Sequence, residues 1–581
     1  HPAQVGDAET LQYLITLGEP ALAAAEASSG ESPLKGLCSA IREAVKAPPD
    51  RAMPSTLWGT TDFEKMMYRL VVEDLVRGYP FALDGEFAAR IRFLGDEAAP
   101  FVIQASRDSH EFLRRNATLY LGLLNDAAAV ERLREILLET DDKVCRNRAL
   151  DALVRRRDTA SVETLAEMLS KNKDRSFTPF LIQALGGLGG VAAKNAIVSK
   201  AKSAAQDYDL MVAVGIALGR AGIDTEEVRS LLRRFDSAHF TDPNSSYTPV
   251  TADEEGTRTR TVRQIALAAR ALLGTESSAK ALAGLVDERK EREPEDEGRG
   301  RFGVARGRLA KIHPAAMNLA LEALGRHEVG RDVLRGVAKD DREEGSLRAN
   351  ALFQLCRVKV DAELCADLAD LSKPQPLAEV ALKLLSSADR AKAVEIAKGW
   401  IGEYRTSLPS DKRHLVSVGV QILGPSGEND RAKLVGIIGE ESAWRRRLPR
   451  GPMRSRTPGT QFEVDLSLVP PLLEHAMIEL GRFGGRKRSS REALDGVLLD
   501  EQAPGRGEAC LAMAGGGSVM AYERLLGALE DRDGWVRFMA YRALRHASGD
   551  DHFCDWLYAP ADARMAAVDG YKLWLDGYAD K

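Results

Sequence analysis

From Phe112 to Ser170 the chain reads FLRRNATLYLGLLNDAAAVERLREILLETDDKVCRNRALDALVRRRDTASVETLAEMLS. Apolar residues recur there with the 3.6-residue period of a helix, a short polar turn breaks each stripe, and the whole unit then repeats. A helix–turn–helix unit of this size cannot bury its apolar face alone, so successive units must stack. Aligned at the apolar ends of their first helices, RALDALVR, LIQALGGLGG and VGIALGRAGI place Leu153, Leu185 and Leu218 thirty-two and then thirty-three residues apart. That spacing suits antiparallel helix pairs laid side by side. The pattern continues as AARALLG, LALEALGR, RANALFQLCR, AEVALKLL, VGVQILG, AMIELGRFG, EACLAMAGG and FMAYRALRHASG, the last ending at Gly549. Roughly a dozen units follow from this count.

The expectation is an all-α fold, an α-solenoid of stacked helix pairs forming an α-α superhelix. Small residues near the end of each first helix serve it twice, because Ala permits close helix approach while Gly takes the left-handed conformation that ends a helix. Asp and Asn in NDAAA and TDDKV suit the caps of the helices that follow. Three regions are expected: N-terminal capping helices with an irregular connection over 1–90, repeats over 91–549, and an aromatic cap over 550–581. Leu17 to Ser28 echoes Leu94 to Ser106, and KAPPDRAMPSTLWGTTDF between them is rich in Pro and polar residues.

VCRNRALDAL, DGWVRFMAYRAL and the recurring AL-x-x-x-G turns resemble the HEAT-repeat family, particularly the bacterial HEAT-like repeats also found in phycobilin lyases (PBS-lyase-type repeats). The likeness runs from about Leu94 to Gly549. It implies a curved, armadillo-like solenoid with an extended binding surface, used most often as a noncatalytic scaffold or adaptor. The closing GDDHFCDWLYAPADARMAAVDGYKLWLDGY is similar to the ends of exported HEAT proteins of planctomycete-like bacteria, and that resemblance implies export or a periplasmic location.

Composition narrows the partners. The net charge is −5 over 581 residues, so no global attraction draws the chain to polyanions and any such binding must be local. No run of eighteen uncharged apolar residues occurs, which argues against a membrane-spanning helix. The chain begins with His1, compatible with a removed signal peptide or another boundary. Its six cysteines show neither CxxC nor structural-zinc spacing, and read as small buried apolar residues.

Interruptions of a uniform repeat are the best pointers to function, since insertions map to loops at a solenoid's edge. Three steps run about twenty residues too long, placing inserted loops near 236–260, 286–309 and 441–462. The third contains WRRRLPRGPMRSR, six arginines and no acid in thirteen residues: Trp444, Arg445, Arg446, Arg447, Arg450, Arg454 and Arg456. A second basic cluster, RFGGRKRSSR (482–491), holds Arg486, Lys487 and Arg488 in the turn of the next unit. Sharing one edge, the two would make a positive ridge for phosphate or acidic protein, with bidentate guanidinium contacts and Trp444 for stacking. The alternative is a solvated surface whose arginines pair with acids on neighbouring helices.

Catalytic signatures are missing from the motifs. GGRKRSS and LGGLGGVA fall short of GxxxxGK[ST], and no GxSxG, HExxH or kinase set is present. The densest ligand-like run is RHASGDDHFCDW, where His552 and Cys554 are weak metal candidates beside Asp551 and Asp555; helix capping by Asp550 or Asp551 is the competing explanation. Nothing specifies a bilin site of the phycobilin-lyase kind, and the single basic region matches poorly the groove of HEAT-like DNA glycosylases. The expectation is a noncatalytic scaffold, without cofactor or metal, that binds a protein partner through its solenoid surface and inserted loops. The alternative is binding of nucleic acid or another polyanion through 444–456 and 482–491.

Overall fold

The computed structural model describes Gly59, residues 61–77, Ile91 and 94–579, apart from 173, 203–206, 237–251, 288–313, 424–427, 448–452, 455–460, 463–470, 485–486, 502 and 504. Most of the capping region read at 1–90, the centres of the inserted segments, and Arg450, Arg456 and Arg486 therefore lie outside the described residues.

The elements are α1 (Asp62–Arg77), α2 (Ala99–Ala105), α3 (Glu111–Leu121), α4 (Ala127–Glu139), α5 (Lys143–Arg155), α6 (Val162–Lys171), α7 (Thr178–Leu188), α8 (Val191–Lys202) and α9 (Tyr208–Ala221). They continue as α10 (Glu226–Asp236), α11 (Ala252–Leu272), α12 (Glu276–Asp287), α13 (Pro314–Leu324), α14 (Arg331–Lys339), α15 (Gly345–Cys356), α16 (Ala362–Leu368), α17 (Gln375–Ala388), α18 (Arg390–Gly402) and α19 (Ser410–Leu423). The last are α20 (Glu428–Arg447), the short strands β1 (Met453–Arg454) and β2 (Gln461–Phe462), α21 (Pro471–Gly484), α22 (Arg488–Leu498), α23 (Arg506–Ala514), α24 (Val519–Ala528), α25 (Gly534–Ser548) and α26 (Ala561–Ala579).

Two compact units result, one made of His1–Arg132 with Ile401–Lys581 and the other of Leu133–Trp400. In the second unit the first helices of successive pairs, α5, α7, α9, α11, α13, α15 and α17, each pack on the next. In the first unit α19, α21, α23 and α25 do the same. The leucines that align in the sequence are the seams of these stacks: Leu153, Leu185, Leu218, Leu324, Leu385 and Leu480 are at most 1% exposed.

The glycines divide into two roles where the sequence reading assigned one. Gly189, Gly222 and Gly549 have φ of 74°, 68° and 78° and end their helices. Gly186 instead lies within α7, where an added Cβ would fall 2.3 Å from Cα of Ala217 on α9; Gly481 stands in the same relation to Ala512 on α23, at 2.7 Å. The helix backbones touch at these points.

A second register position recurs seven residues before the seam leucine. Arg348 there donates from Nε to the Ala338 carbonyl, and Arg537 donates to the carbonyls of Asp531, Arg532, Trp556 and Leu557. The charge satisfies turn carbonyls that no helix bonds, which is why it tolerates 1% and 7% exposure.

At the C-terminal end of the first unit, Tyr541 stacks on Trp556 with centroids 5.7 Å apart, and Phe553 and Tyr571 meet it edge-on. The same aromatic group receives Phe63 of α1, whose ring lies 5.4 Å from Phe553. Arg542 of α25 pairs with Glu97 at 2.9 Å.

The first and third inserted segments are shorter than the sequence reading had them. Residues 252–260 begin α11; Asp253, Glu254 and Glu255 at its start and arginines one turn later favour helix over loop. Residues 444–447 likewise continue α20, and Met453 and Arg454 pair antiparallel with Phe462 and Gln461.

Candidate interaction surface

Each stacked first helix of the second unit is so enclosed that it offers solvent about one side chain per turn. Two residues before the seam leucine these are Gln183, Ile216, Arg270, Glu322, Phe353 and Lys383. Two residues after it stand Arg220, Arg326 and Arg357, with glycine at 187 and 274. The exposed edge is a strip on which neighbouring repeats touch through their side chains.

Glu322 is its centre. Arg220 Nε lies 3.2 Å from Glu322 Oε2, Arg326 Nη2 3.6 Å from Oε1, and Arg357 Nη1 3.9 Å from the same oxygen. Arg220 and Glu322 sit on α9 and α13, which flank α11; Gly274, in the turn after α11, would carry a Cβ with nothing within 4 Å. Arg326 also donates to the Leu272 carbonyl at 3.3 Å. Burial holds its guanidinium below the usual arginine value, Glu322 opposes that shift, and the charge of Arg357 adds to it. Three guanidiniums thus share one carboxylate, and positive charge remains over. Alongside, Asn350 Nδ2 donates to Asn318 Oδ1 at 2.9 Å, and Phe353 and Phe180 stand 50% and 49% exposed. The sequence reading missed this strip. Its only trace was the fixed offset from the aligned leucines, which acquires meaning once those leucines are known to form a seam.

The basic segments of the first unit do not converge. Trp444, Arg445, Arg446 and Arg447 form the last turn of α20, and Arg454 lies in β1. The preceding turn of α20 carries Glu441, fully buried, which accepts from Tyr404 Oη at 2.7 Å and from Arg413 Nε at 3.1 Å. Those contacts dock the end of α20 against the start of α19. Lys487 and Arg488, by contrast, open α22 immediately after the end of α21. Because α19 and α21 are successive first helices, joined by Ser417 Oγ and His475 Nδ1 at 2.7 Å, the two clusters stand at opposite ends of the stack. A fourteen-residue helix such as α21 separates them by about 20 Å, so the single ridge expected from their adjacency in sequence is replaced by two separate ends. Arg488 is 86% exposed and pairs with Glu492 at 2.7 Å, and Arg482 pairs with Glu479 at 3.0 Å; Lys487 is exposed.

Among the described residues no three His, Cys, Asp or Glu side chains are grouped to hold a metal ion. His552 lies edge-on to Tyr571, centroids 4.7 Å apart, and against Gly570. Asp551 accepts from Tyr541 Oη at 2.7 Å, Asp555 accepts from the Tyr558 amide, and burial pushes the Cys554 thiol up to about 12. The run that looked ligand-like is spent on closing the aromatic group. The Ser417–His475 pair bridges two helices, its serine 2% exposed and its imidazole also in contact with Gln421. Among the described residues no helix is long and apolar enough to cross a membrane.

Residues 86–154 match the family of HEAT repeats. No curated protein matches the chain. Among solved structures it is similar to the complex of CpcE and CpcF of phycocyanin lyase from Nostoc sp. PCC7120, at 19% identity over 50% of this chain and 93% of that one, TM-score 0.33. It is also similar to the karyopherin Kap121p bound to the SUMO protease Ulp1p, at 12% identity and TM-score 0.35, over 98% of this chain and 60% of that one. The chain thus spans less than two thirds of the karyopherin's length. Residues 86–154 thus carry HEAT repeats, and helix pairs stacked first helix on first helix in both units give the chain an all-α solenoid fold.

Proposed function

We propose that the chain is a noncatalytic scaffold that binds a protein partner along the exposed strip of first helices in the second unit, with the inserted segments adding contacts at the ends of the helices. The observation that carries this reading is the strip's composition: half-exposed Phe353 next to guanidiniums held in place by Glu322. Aromatic and arginine side chains on a rigid support supply most of the affinity in protein interfaces, because they bury large area while losing little conformational freedom. A polyanion would find the basic segments of α20 and α22 about a helix length apart, and one guanidinium there already paired with Glu492.

The test is affinity purification after nuclease treatment, comparing the native chain with two variants. One carries Phe353→Ala and Arg357→Ala; the other replaces Arg445, Arg446, Arg447, Arg450, Arg454 and Arg456 with serine. Loss of a protein partner from the first variant supports the strip, and loss from the second adds the arginine segment to the surface. Retention by both moves binding elsewhere. If nothing remains after nuclease while untreated material retains nucleic acid with steep salt dependence, the protein-scaffold reading gives way to polyanion binding.

A further inference from the structure

Cys356 closes α15 and Cys365 lies within α16, across the turn that joins one helix pair, and their sulfurs are 3.8 Å apart. Both residues are buried, at 4% and 0% exposure. The turn between them is open: Val358 is 80% exposed and directly follows Arg357 of the strip. Cys356, next to this open turn, is the less enclosed of the two. Asp361 caps α16 by accepting from the Leu364 amide at 3.1 Å, and its other oxygen accepts from Arg335 at 2.9 Å, so the start of α16 is held at both carboxylate oxygens.

We propose that Cys356 and Cys365 are a redox pair that closes to an intramolecular disulfide when the protein meets a small disulfide oxidant. A disulfide needs its sulfurs at about 2.05 Å, so closure asks for less than 2 Å of approach, within reach of side-chain rotation and a small shift of the short helix α16. The order of attack follows from position and charge. The hydrogen bond from Cys365 holds the Cys356 thiol below the ordinary thiol value, and the same bond together with burial holds Cys365 above it, which makes Cys356 the attacking sulfur. Its thiolate attacks one sulfur of the oxidant, expelling one small thiol and leaving a mixed disulfide. The Cys365 sulfur, giving up its proton, then attacks Cys356 Sγ and expels the second small thiol. Two protein thiols are oxidised and one oxidant disulfide is reduced. Cys145 and Cys510, buried in other helices, are the internal controls.

The experiment treats the full native chain with oxidised glutathione, blocks remaining thiols with N-ethylmaleimide, and digests with trypsin. Cleavage after Arg348, Arg357, Lys359 and Lys383, with the Lys373–Pro374 bond resistant to trypsin, releases the two cysteines on separate peptides, 349–357 and 360–383. The expected product is these peptides joined, two hydrogens lighter than their sum, with Cys145 and Cys510 carrying the blocking group. In Cys365→Ala, with Cys365→Ser as the alternative if the first misfolds by circular dichroism, glutathione accumulates on Cys356. The proposal is overturned if the native chain yields both peptides unlinked and blocked, or if the glutathione adduct on Cys356 persists to the same extent in the native chain and the variant.

Discussion

The guanidinium of Arg69 lies 3.8 Å from the centre of the Tyr558 ring, a contact between α1, the first described helix, and the segment that leads into the last. A cation over an aromatic face contributes about 0.5–2 kcal/mol, more as water is excluded. Tyr558→Leu should therefore leave most of the first unit intact while loosening α1. Hydrogen exchange checks this: amides of α1 should exchange up to about tenfold faster, while those of α23 stay unchanged. Equal acceleration in both would mean that the contact stabilises the whole unit.

Gly186 and Gly436 make opposite predictions for the same substitution. A Cβ on Gly186 meets backbone of Ala217 at 2.3 Å, whereas at Gly436, inside α20, it meets nothing within 4 Å. Gly186→Ala should cost about 2 kcal/mol or more, because two helices must move apart, and Gly436→Ala should add about 0.5–1 kcal/mol through helix propensity. Denaturant midpoints of the two variants should fall on either side of the native value.

Removing Glu441 should be far costlier than removing an exposed partner. Glu441 is fully buried and holds Arg413, whose side chain is 15% exposed, through both carboxylate oxygens. Glu441→Ala strands that charge and the Tyr404 hydroxyl, a loss of about 3–5 kcal/mol. Arg488→Ser breaks only a solvent-exposed pair and should leave the urea midpoint essentially where it is in the native chain. Urea unfolding of both variants measures the difference.

Glu508 makes stability depend on pH. Burial holds its carboxyl up at about 7, with the hydrogen bond from Trp535 Nε1 acting the other way. The folded state then keeps a proton that the unfolded chain releases, so the contribution of Glu508 to stability is greatest below the normal glutamate range and falls as pH rises from that range to about 7. The loss is on the order of 3 kcal/mol. Glu508→Gln keeps an oxygen for Trp535 and removes the titration, so its unfolding free energy should vary less between pH 5 and pH 8 than that of the native chain. An identical pH dependence in both would show that Glu508 is not its source.

The stacked-helix fold was legible because each helix announces itself locally: an apolar stripe every three or four residues, a capping Asp, a Gly at the end. Asp126 and Asp142, expected as caps from NDAAA and TDDKV, do accept from the first amides of α4 and α5. The leucines that set the repeat length also proved to be the seam.

What the sequence did not disclose is which side chains of different repeats share a site. Arg445 and Arg488 belong to neighbouring units, yet reversal of direction between paired helices sends them to opposite ends. Cys356 and Cys365 look dispersed until a turn brings their sulfurs together. Arg220 and Glu322 are separated by a whole helix pair and an inserted segment, and meet because α9, α11 and α13 stack side by side. Local pattern determines where helices begin, end and turn their apolar faces. Only packing decides the register of one helix on the next, because that register is set by the close fit of residues such as Gly186 and Ala217 and not by any period within a single helix.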